Sequence, residues 1–544
     1  MRLGAPVFFF GFLLSFANGR SLSVELPDAT YKGYHNSTSG LDVWLGVRYA
    51  APPVGELRWR AAQPIRKGSG AVNATTMPVQ CIQSQAAWNA TNMSEDCLYL
   101  NVYSPPNAKN LPVLVWIHGG SWDHNGAYQF DPTPLINLSG NKFMAVVIQY
   151  RLGAFGFLSG SDSIAKSNGL NAAITDARFA LQFVQSNIGK FGGSKDEVTI
   201  WGQSSGGGTV LELLAQEGQM QKASESKYQK LFKGAIMSSP WFPPLGKCSN
   251  SYFKDQFHNF TIGAGCASNS SDASALSCLR AAPSITLRQL NYQMNKAQRG
   301  HVNYWTACLE DSSSEGGYLK INPVQALRSG IVAGASRFLP ITVPKYNISQ
   351  DYLLSGSNSA DGSAPSDLST PVLFDNFLAT NWPLSAEQIK RVANLYPENA
   401  FTDSHARGVS IYQDAVFACG STWAAAAFIK RKGSWRYLFG ILPAVHAQDN
   451  AYEFPIWYNY RSPASPSVFA AFGGSITNFT VGRNPNSKAL NNTWSQASSG
   501  NQIIFNMTSP ANISETYSTD FYATLSGTKE RCDFWADVRL SDGW

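Results

Sequence analysis

The segment Gly202-Gln203-Ser204-Ser205-Gly206 constrains the fold more than any other stretch of this 544-residue chain. It follows the apolar run Val198-Thr-Ile-Trp201 and leads into Gly207-Gly208-Thr209, which predicts a short strand, a tight turn and a helix. In a G-x-S-x-G pattern the serine lies at the tip of a sharp turn, and the glycines let strand and helix approach closely. Since glycine-serine turns are common, the pattern indicates a nucleophile at Ser204 only with support from the rest of the chain.

The composition argues against a nucleic-acid partner. Charged residues are 14% of the sequence, well below the roughly 25% that is usual for soluble proteins. The formal net charge is +6, and the longest basic run is Lys430-Arg431-Lys432 in an ordinary mixed segment. This charge is too small and too dispersed for an extended basic surface. We therefore expect no nucleic-acid partner.

The N-terminus has the pattern of a secretory signal peptide over residues 1–19. Arg2 precedes an apolar run from Ala5 to Ala17, and Ala17-Asn18-Gly19 supplies small residues for cleavage. The run is too short to span a membrane, and no other run of about 18 apolar residues exists in the sequence. We therefore predict a secreted, extracellular protein without a transmembrane anchor.

Glycosylation motifs and cysteines agree with export. Twelve Asn-x-Ser/Thr sequons lie at Asn36, Asn73, Asn89, Asn92, Asn137, Asn259, Asn269, Asn347, Asn478, Asn491, Asn506 and Asn512. The eight cysteines are an even number that an oxidising compartment can pair, and no spacing gives a C-x-x-C metal or redox motif. Cys81 and Cys97 bracket a short polar loop, so a local disulfide is the natural interpretation there.

Buried strands and a helical pattern alternate in the first half of the chain. Leu111–Ile117 and Phe143–Tyr150 are continuous apolar runs of the kind that form central strands. Apolar residues recur with helical period from Gly169 to Asn187, before the strand at Val198. This order predicts an α/β fold, a parallel sheet with helices on both faces. No linker, charge block or repeat divides residues 20–544, so we expect a single domain.

Five further segments in the first half of the chain are informative when they are taken together. They are Tyr49-Ala-Ala-Pro-Pro-Val-Gly-Glu-Leu-Arg58, Glu95-Asp-Cys-Leu-Tyr-Leu-Asn101, His118-Gly-Gly120, Tyr150-Arg-Leu-Gly-Ala-Phe-Gly-Phe-Leu158 and Asn187-Ile-Gly-Lys-Phe-Gly-Gly193. With the segment around Ser204, they resemble the type-B carboxylesterase and lipase family of the α/β-hydrolase fold, which includes cholinesterases and secreted fungal esterases. The resemblance implies a large, mixed, mostly parallel central sheet and makes Ser204 the expected nucleophile. It also implies a loop-rich lid and gorge wall from about Trp241 to Gln350.

The resemblance places the other members of a catalytic triad downstream, the acid first and the histidine second. His446, in the segment from Trp435 to Asp449, matches the family's His-Gly-x-Asp segment and is the expected general base. The segment Leu353–Ala364 resembles the one that usually carries a glutamate, and it places Asp361 at that position. Other carboxylates stay open as the acid, namely Glu310, Asp311 and Glu315.

By the same resemblance, backbone N–H groups of Gly119, Gly120 and Ser205 form the oxyanion hole. The chain departs from the family on both sides of the nucleophile, where Gln203 and Ser205 replace the usual Glu and Ala. The first change removes a buried charge. The second adds a hydroxyl that we expect to crowd or hydrogen-bond an acyl group.

The resemblance also bears on the remaining cysteines. It implies a disulfide between Cys266 and Cys278, which frame a polar loop of the size that a family disulfide closes. We further expect Cys419 to pair with Cys532 and Cys248 with Cys308. The connectivity of these last four cysteines stays open at this point, because cysteine pairing cannot be deduced from sequence alone.

The resemblance and the residues together predict a secreted serine hydrolase that cleaves small-molecule or lipid carboxylic esters through an acyl-enzyme. No metal or organic cofactor is expected, since the chain has no H-E-x-x-H motif and its glycine-rich turn ends in Thr209 without the lysine of a P-loop. One alternative is a biosynthetic acyltransferase or cyclase that uses the same pocket, suggested by Gln203 and Ser205. Another is a non-catalytic adhesion or binding protein of the same fold. The oligomeric state is not indicated.

Overall fold

The computed structural model describes residues 22–223, 228–266, 271–296, 304–311, 316–333, 352–428, 433–454, 465–497, 500–509, 512–518 and 529–541. The predicted signal peptide at residues 1–19 lies outside these ranges. Of the helices within them, none combines the length and the apolar composition that a membrane span needs.

Sixteen strands lie within the described ranges. They are β1 (Ser23–Glu25), β2 (Thr30–Lys32), β3 (Tyr34–Asn36), β4 (Leu41–Arg48), β5 (Ala71–Asn73), β6 (Gln80–Cys81), β7 (Met93–Ser94), β8 (Tyr99–Ser104), β9 (Leu111–Ile117), β10 (Met144–Ile148), β11 (Gly193–Gln203), β12 (Gly234–Ser238), β13 (Tyr352–Asn358), β14 (Ser434–Phe439), β15 (Gln502–Ser509) and β16 (Asn512–Ser518).

The described α-helices follow the same chain order. They are α1 (Thr133–Leu138), α2 (Gly153–Phe157), α3 (Asp162–Lys166), α4 (Ala172–Asn187), α5 (Ser205–Ala223), α6 (Ser251–Gly263), α7 (Asp272–Ala281), α8 (Ser284–Lys296), α9 (Pro323–Arg328), α10 (Pro371–Asn381), α11 (Ala386–Leu395), α12 (Ser404–Gln413), α13 (Cys419–Phe428), α14 (Asn450–Glu453), α15 (Pro466–Val468), α16 (Gly474–Gly482) and α17 (Lys529–Leu540). Two short π-helical segments, Asp414–Ala418 and Phe469–Gly473, interrupt this series.

Eleven of the strands form one mixed sheet in the order β16-β15-β14-β13-β12-β11-β9-β10-β8-β4-β3. The seven strands from β15 to β10 in that order run parallel to one another. Antiparallel strands complete both edges, with β16 at one and β8, β4 and β3 at the other. The sheet is therefore large, mixed and mostly parallel, as the sequence predicted.

Strand β9 shows why a central strand of this sheet has a continuously apolar sequence. Val113, Val115 and Ile117 belong to a hydrophobic core on one face of the sheet. Leu114 and Trp116 belong to a second core on the other face. Successive side chains of a strand point to opposite faces, so every position is apolar when helices cover both faces.

The parallel strands end at one edge of the sheet, and this edge positions the site. The last residues of β9, β11, β12, β13 and β14 are Ile117, Gln203, Ser238, Asn358 and Phe439. Carboxyl ends of parallel strands meet at the same edge, where ligands of open α/β sheets bind. The turns that follow these five strands therefore face a common space.

Element boundaries differ modestly from the predictions. The strand expected at Phe143–Tyr150 is β10, which spans Met144–Ile148, and the helix expected from Gly169 is α4, which begins at Ala172. Strand β11 begins at Gly193, ahead of the predicted Val198, because an irregularity in its pairing with β9 interrupts the apolar pattern.

The stretch expected to be loop-rich contains four helices, α6 to α9, where the structure describes it. Polar residues of this stretch serve as helix caps: the side chain of Asn250 accepts the N–H of Phe253, and that of Ser271 accepts the N–H of Ser274. Phe253 is buried in the main core. Residues 334–350 of this stretch lie outside the described residues.

The structure contains the four expected disulfides, Cys81–Cys97, Cys248–Cys308, Cys266–Cys278 and Cys419–Cys532. The last of them ties α13 to α17 across a sequence separation of 113 residues. The open connectivity of the last four cysteines is thereby resolved.

Most described sequons present their asparagine to solvent. Seven side chains are exposed, those of Asn73, Asn89, Asn92, Asn137, Asn259, Asn478 and Asn491. Asn36 and Asn506 are half-buried, Asn512 begins β16, and Asn269 and Asn347 lie outside the described residues. Occupancy by glycans stays a prediction.

Candidate active site

Ser204 lies in the sharp turn between β11 and α5. Its φ is 56°, the left-handed conformation that a non-glycine residue adopts only where the surroundings impose it. The glycine positions have a steric cause, because a Cβ on Gly202 would lie 2.3 Å from the carbonyl of Gly206. A Cβ on Gly206 would lie 2.1 Å from the carbonyl oxygen of Ile117. The turn therefore has the geometry that the G-x-S-x-G pattern predicts.

The structure brings Ser204, His446 and Asp361 together in one hydrogen-bonded chain. The Oγ of Ser204 lies 2.8 Å from Nε2 of His446, and Nδ1 of His446 lies 2.8 Å from Oδ1 of Asp361. The Asp361 side chain is 0% exposed and the His446 side chain 30%. The three elements that carry them follow β11, β14 and β13, so the chain of contacts crosses the carboxyl edge of the sheet.

Among the described residues, no alternative acid takes this place. Glu310 accepts hydrogen bonds from Nδ2 of Asn171 at 3.0 Å and from the N–H of Leu319 at 3.1 Å. Asp311 follows it on the same segment, and Glu315 lies outside the described residues. The carboxylate on Nδ1 of the histidine is that of Asp361.

Two residues that the sequence analysis missed hold the Asp361 carboxylate. Ser239 donates its hydroxyl to Oδ2 at 2.8 Å, and the backbone N–H of Asn358 donates to the same oxygen at 2.8 Å. The Asn358 carboxamide donates to Oδ1 at 3.2 Å. Ser239 has φ of 43°, another strained residue at this edge. The only sequence signal for either residue is that it stands at the carboxyl end of a buried strand.

A second buried carboxyl group, that of Asp449, lies behind the first. Its Oδ1 accepts from Nδ2 of Asn358 at 3.0 Å and its Oδ2 from the hydroxyl of Tyr437 at 3.1 Å. Burial, together with the charge of Asp361, raises the pKa of Asp449 to about 6. The Asn358 amide thus bridges two carboxyl groups. Asp449 ends the segment that identified the histidine, so its position was visible in the sequence although its role was not.

The turn after β9 lies against the nucleophile. A Cβ on Gly119 would lie 3.0 Å from Cβ of Ser204, so only glycine fits at that position without a shift. Gly120 has φ of 111°, which also favours glycine. Among the hydrogen bonds of the described residues, none uses the backbone N–H of Gly119, Gly120 or Ser205 as its donor. Their use as an oxyanion hole stays a prediction.

No three His, Cys, Asp or Glu side chains within the described ranges are grouped so that they could hold a metal ion. The arrangement around Ser204 consists of groups for proton transfer and nucleophilic attack.

Comparison with known proteins places this site in a family. A family model described as "Carboxylesterase family" matches residues 21–535. The chain belongs to the carboxylesterase family. It is 28% identical to "Secreted lipase 1" of Botryotinia fuckeliana (strain B05.10) over 89% of this chain and 88% of that protein. It is 39% identical to "Cocaine esterase" of Homo sapiens over 37% of this chain and 36% of that protein. Membership makes the chain a carboxylic ester hydrolase.

Two solved structures share the fold. Aspergillus niger EstA superposes with a TM-score of 0.78 at 24% identity, covering 95% of this chain and 98% of that chain. A PNB esterase superposes with a TM-score of 0.72 at 23% identity, covering 92% and 98%. The fold is therefore the α/β-hydrolase fold that the sequence predicted.

Both departures from the carboxylesterase pattern have partners in the site. Nε2 of Gln203 lies 3.3 Å from Nε2 of His446, so a neutral amide stands beside the imidazole where the family usually has a carboxylate. The Ser205 hydroxyl accepts the backbone N–H of Trp122 at 3.1 Å, and its expected effect on an acyl group stays a prediction. On another side of His446 lies the Phe417 ring, with centroids 4.4 Å apart. Phe417 lies in a π-helical segment, and such segments are frequent at functional sites.

Proposed function

We propose that the chain is a secreted serine esterase that hydrolyses carboxylic esters through a Ser204–His446–Asp361 triad and an acyl-enzyme intermediate. One observation carries the proposal: the hydrogen-bonded chain from Ser204 Oγ through the His446 ring to the Asp361 carboxylate. Nucleophile, base and orienting acid must meet in this order for a serine hydroxyl to attack a carbonyl at neutral pH.

In the first half-reaction, Ser204 Oγ attacks the ester carbonyl carbon while His446 Nε2 takes the hydroxyl proton. The Asp361 carboxylate accepts Nδ1–H, which fixes the tautomer and stabilises the imidazolium that forms. The backbone N–H groups of Gly119, Gly120 and Ser205 donate hydrogen bonds to the former carbonyl oxygen and stabilise its negative charge. The intermediate collapses as His446 gives the proton to the leaving alcohol, and the acyl group stays on Ser204.

In the second half-reaction, His446 Nε2 removes a proton from water, whose oxygen attacks the acyl carbonyl. Collapse of this second tetrahedral intermediate returns the proton to Ser204 Oγ and releases the carboxylic acid. The enzyme regains its starting state without any metal or organic cofactor.

The proposal is tested by following both products of a p-nitrophenyl ester with and without added acceptor. We expect p-nitrophenol and free acid in equal amounts, a burst of the phenol before steady state, and loss of both in Ser204→Ala. Addition of an alcohol or amine acceptor separates hydrolysis from acyl transfer. If nearly all acyl groups pass to a dilute acceptor in water, the chain is an acyltransferase and hydrolysis is not its reaction.

Secretion is the second part of the proposal. It is supported by the N-terminal signal pattern, the four disulfides, the exposed sequons and relatives that are named secreted lipases. Expression of the full chain in a eukaryotic host should yield protein in the medium whose N-terminus begins at residue 20. Retention in the cell with Met1 intact would contradict this part alone.

A further inference from the structure

The Ser205 hydroxyl joins the nucleophile helix to the turn that follows β9. Ser205 is the first residue of α5 and is fully buried. Its Oγ accepts the backbone N–H of Trp122 at 3.1 Å. At the other end of this turn, the Tyr150 phenol donates to the carbonyl of His118 at 2.5 Å. The Ser205 hydroxyl is thus bonded directly to the end of the segment 118–122 that lies at Trp122.

That segment is strained. Gly120, Ser121 and Trp122 have consecutive φ values of 111°, 55° and 59°. Two of these residues carry side chains, and left-handed backbone is costly for them. Such a conformation persists only where its surroundings hold it. The turn therefore depends on contacts outside itself.

Trp122 is fastened to α5 at two points one helical turn apart. Its main-chain N–H is bound by Ser205, and its indole Nε1 donates to Oγ1 of Thr209 at 3.0 Å. Trp122 is itself fully buried, so neither N–H has water as a substitute partner. Of the two anchors, only the Ser205 hydroxyl acts on the strained backbone directly.

We infer that the Ser205 side chain is a positioning residue, which holds the turn so that the N–H groups of Gly119 and Gly120 face the oxyanion. The inference rests on the proposed function, since it concerns the hole that serves the acyl-enzyme chemistry. The backbone N–H of Ser205 donates to the oxyanion in that proposal. Its hydroxyl has the separate task of fixing the other two donors.

The test is the variant Ser205→Ala, which leaves every N–H of the hole in place and removes only the hydroxyl. We expect kcat to fall about 10-fold with KM changed less than about twofold, because a small misplacement of donors weakens transition-state binding more than substrate binding. The inhibition constant of a trifluoromethyl ketone, whose adduct carries an oxyanion, should rise by the same factor. The pH profile of kcat should keep its midpoint, since His446 and Asp361 are untouched.

The matched control is Ser475→Ala. Ser475 is a fully buried helical serine whose hydroxyl bonds a carbonyl one turn earlier, that of Ala471 at 2.8 Å. The Ser475→Ala variant loses the same hydroxyl oxygen from a comparable buried environment. Its kcat and its affinity for the ketone should stay within twofold of wild type. Should Ser205→Ala fold poorly, Ser205→Gly removes the same hydroxyl without added bulk and is judged by the same criteria.

A folded hydroxyl-free variant with wild-type kcat and ketone affinity would overturn the inference. So would a fall in kcat that leaves ketone affinity unchanged, because the loss would then not concern the oxyanion. Failure of the proposed function is distinguishable, since the wild type would then form no covalent adduct at Ser204 with either the ester or the ketone.

Discussion

The two sides of Ser204 are built by different means. On the side of the turn after β9, the parts are backbone: glycines at 119 and 120, and left-handed residues at 121 and 122. On the side of β13 and β14, the parts are side chains. Nδ1 of His446 is hydrogen-bonded to the Asp361 carboxylate, which accepts hydrogen bonds from the side chains of Ser239 and Asn358.

The difference has a chemical reason. Stabilising an oxyanion requires fixed dipoles that do not change with pH, and buried backbone N–H groups provide them. Moving a proton requires groups whose charge changes, and these need partners that tolerate both states. Changes on the backbone side should therefore act through geometry, and changes on the side-chain side through charge and pH.

The largest effect should come from the residues that exchange the proton. Ser204→Ala and His446→Ala should each lower kcat by at least about 10⁴-fold, because triad members act as a unit. Steady-state rates on a p-nitrophenyl ester measure this loss. The control is His405→Ala, an exposed histidine outside the site, which should stay within twofold of wild type. Retained turnover in His446→Ala would mean that the base is a different residue.

Asp361→Asn should cost about 10³- to 10⁴-fold in kcat, since an amide no longer stabilises the imidazolium. The loss should be accompanied by a changed pH profile, which sets this side apart from the turn after β9. The exposed Asp375 in α10 supplies the control Asp375→Asn. A pH profile identical to wild type would remove Asp361 from the triad.

Gly119→Ala should lower kcat by about 10²- to 10³-fold, comparable to losing one oxyanion donor. The new Cβ would lie 2.6 Å from the backbone oxygen of Gln203 and must push the turn away from the nucleophile. The matched control is Gly189→Ala, where an added Cβ meets nothing within 4 Å. The pH midpoints of Gly119→Ala should match wild type, and a shifted midpoint would contradict the division between the two sides.

The smallest effect concerns the buried carboxyl of Asp449, whose pKa is raised to about 6. A raised pKa means that the folded state keeps its proton while the unfolded state loses it, so stability falls as pH rises from about 4 to about 6 and stays lower above. The Asp449→Asn variant has no carboxyl group at this position and should not lose this stability as pH rises. The free energy of unfolding of the variant minus that of wild type should therefore grow by about 3 kcal/mol between pH 4 and pH 6.

Urea unfolding of both proteins at several pH values measures this difference. Above pH 6 the difference should be constant. A difference that does not depend on pH would show that the carboxyl group titrates normally in the folded protein.

Elements with an internal pattern were predictable from sequence. Strand β9 spans Leu111–Ile117, as the apolar run predicted, because both faces of it are buried. The start of β11 was not, since its pairing with β9 is irregular between Gly193 and Val198. The helices α6 and α7 lie in the stretch that was expected to be loop-rich, and their capping residues Asn250 and Ser271 are of types that also favour loops.

The site was predictable where its residues form contiguous motifs. The backbone conformation of Ser204 and of the glycines beside it is set by residues adjacent in sequence, so the G-x-S-x-G pattern predicts it. Ser239 and Asn358 meet only because β12 and β13 are adjacent in the sheet, across 119 positions of sequence. The direction of the Ser205 hydroxyl depends on the strained backbone at Trp122, which no sequence pattern specifies.

The central claim is that Ser204 is the nucleophile, and a fluorophosphonate probe tests it most directly. Mass spectrometry of the digested, labelled protein should find the adduct on the peptide that contains Ser204, and Ser204→Ala should take up no label. Competition by an excess of ester should slow the labelling. Absence of an adduct in correctly folded protein, or an adduct on another residue, would contradict the account.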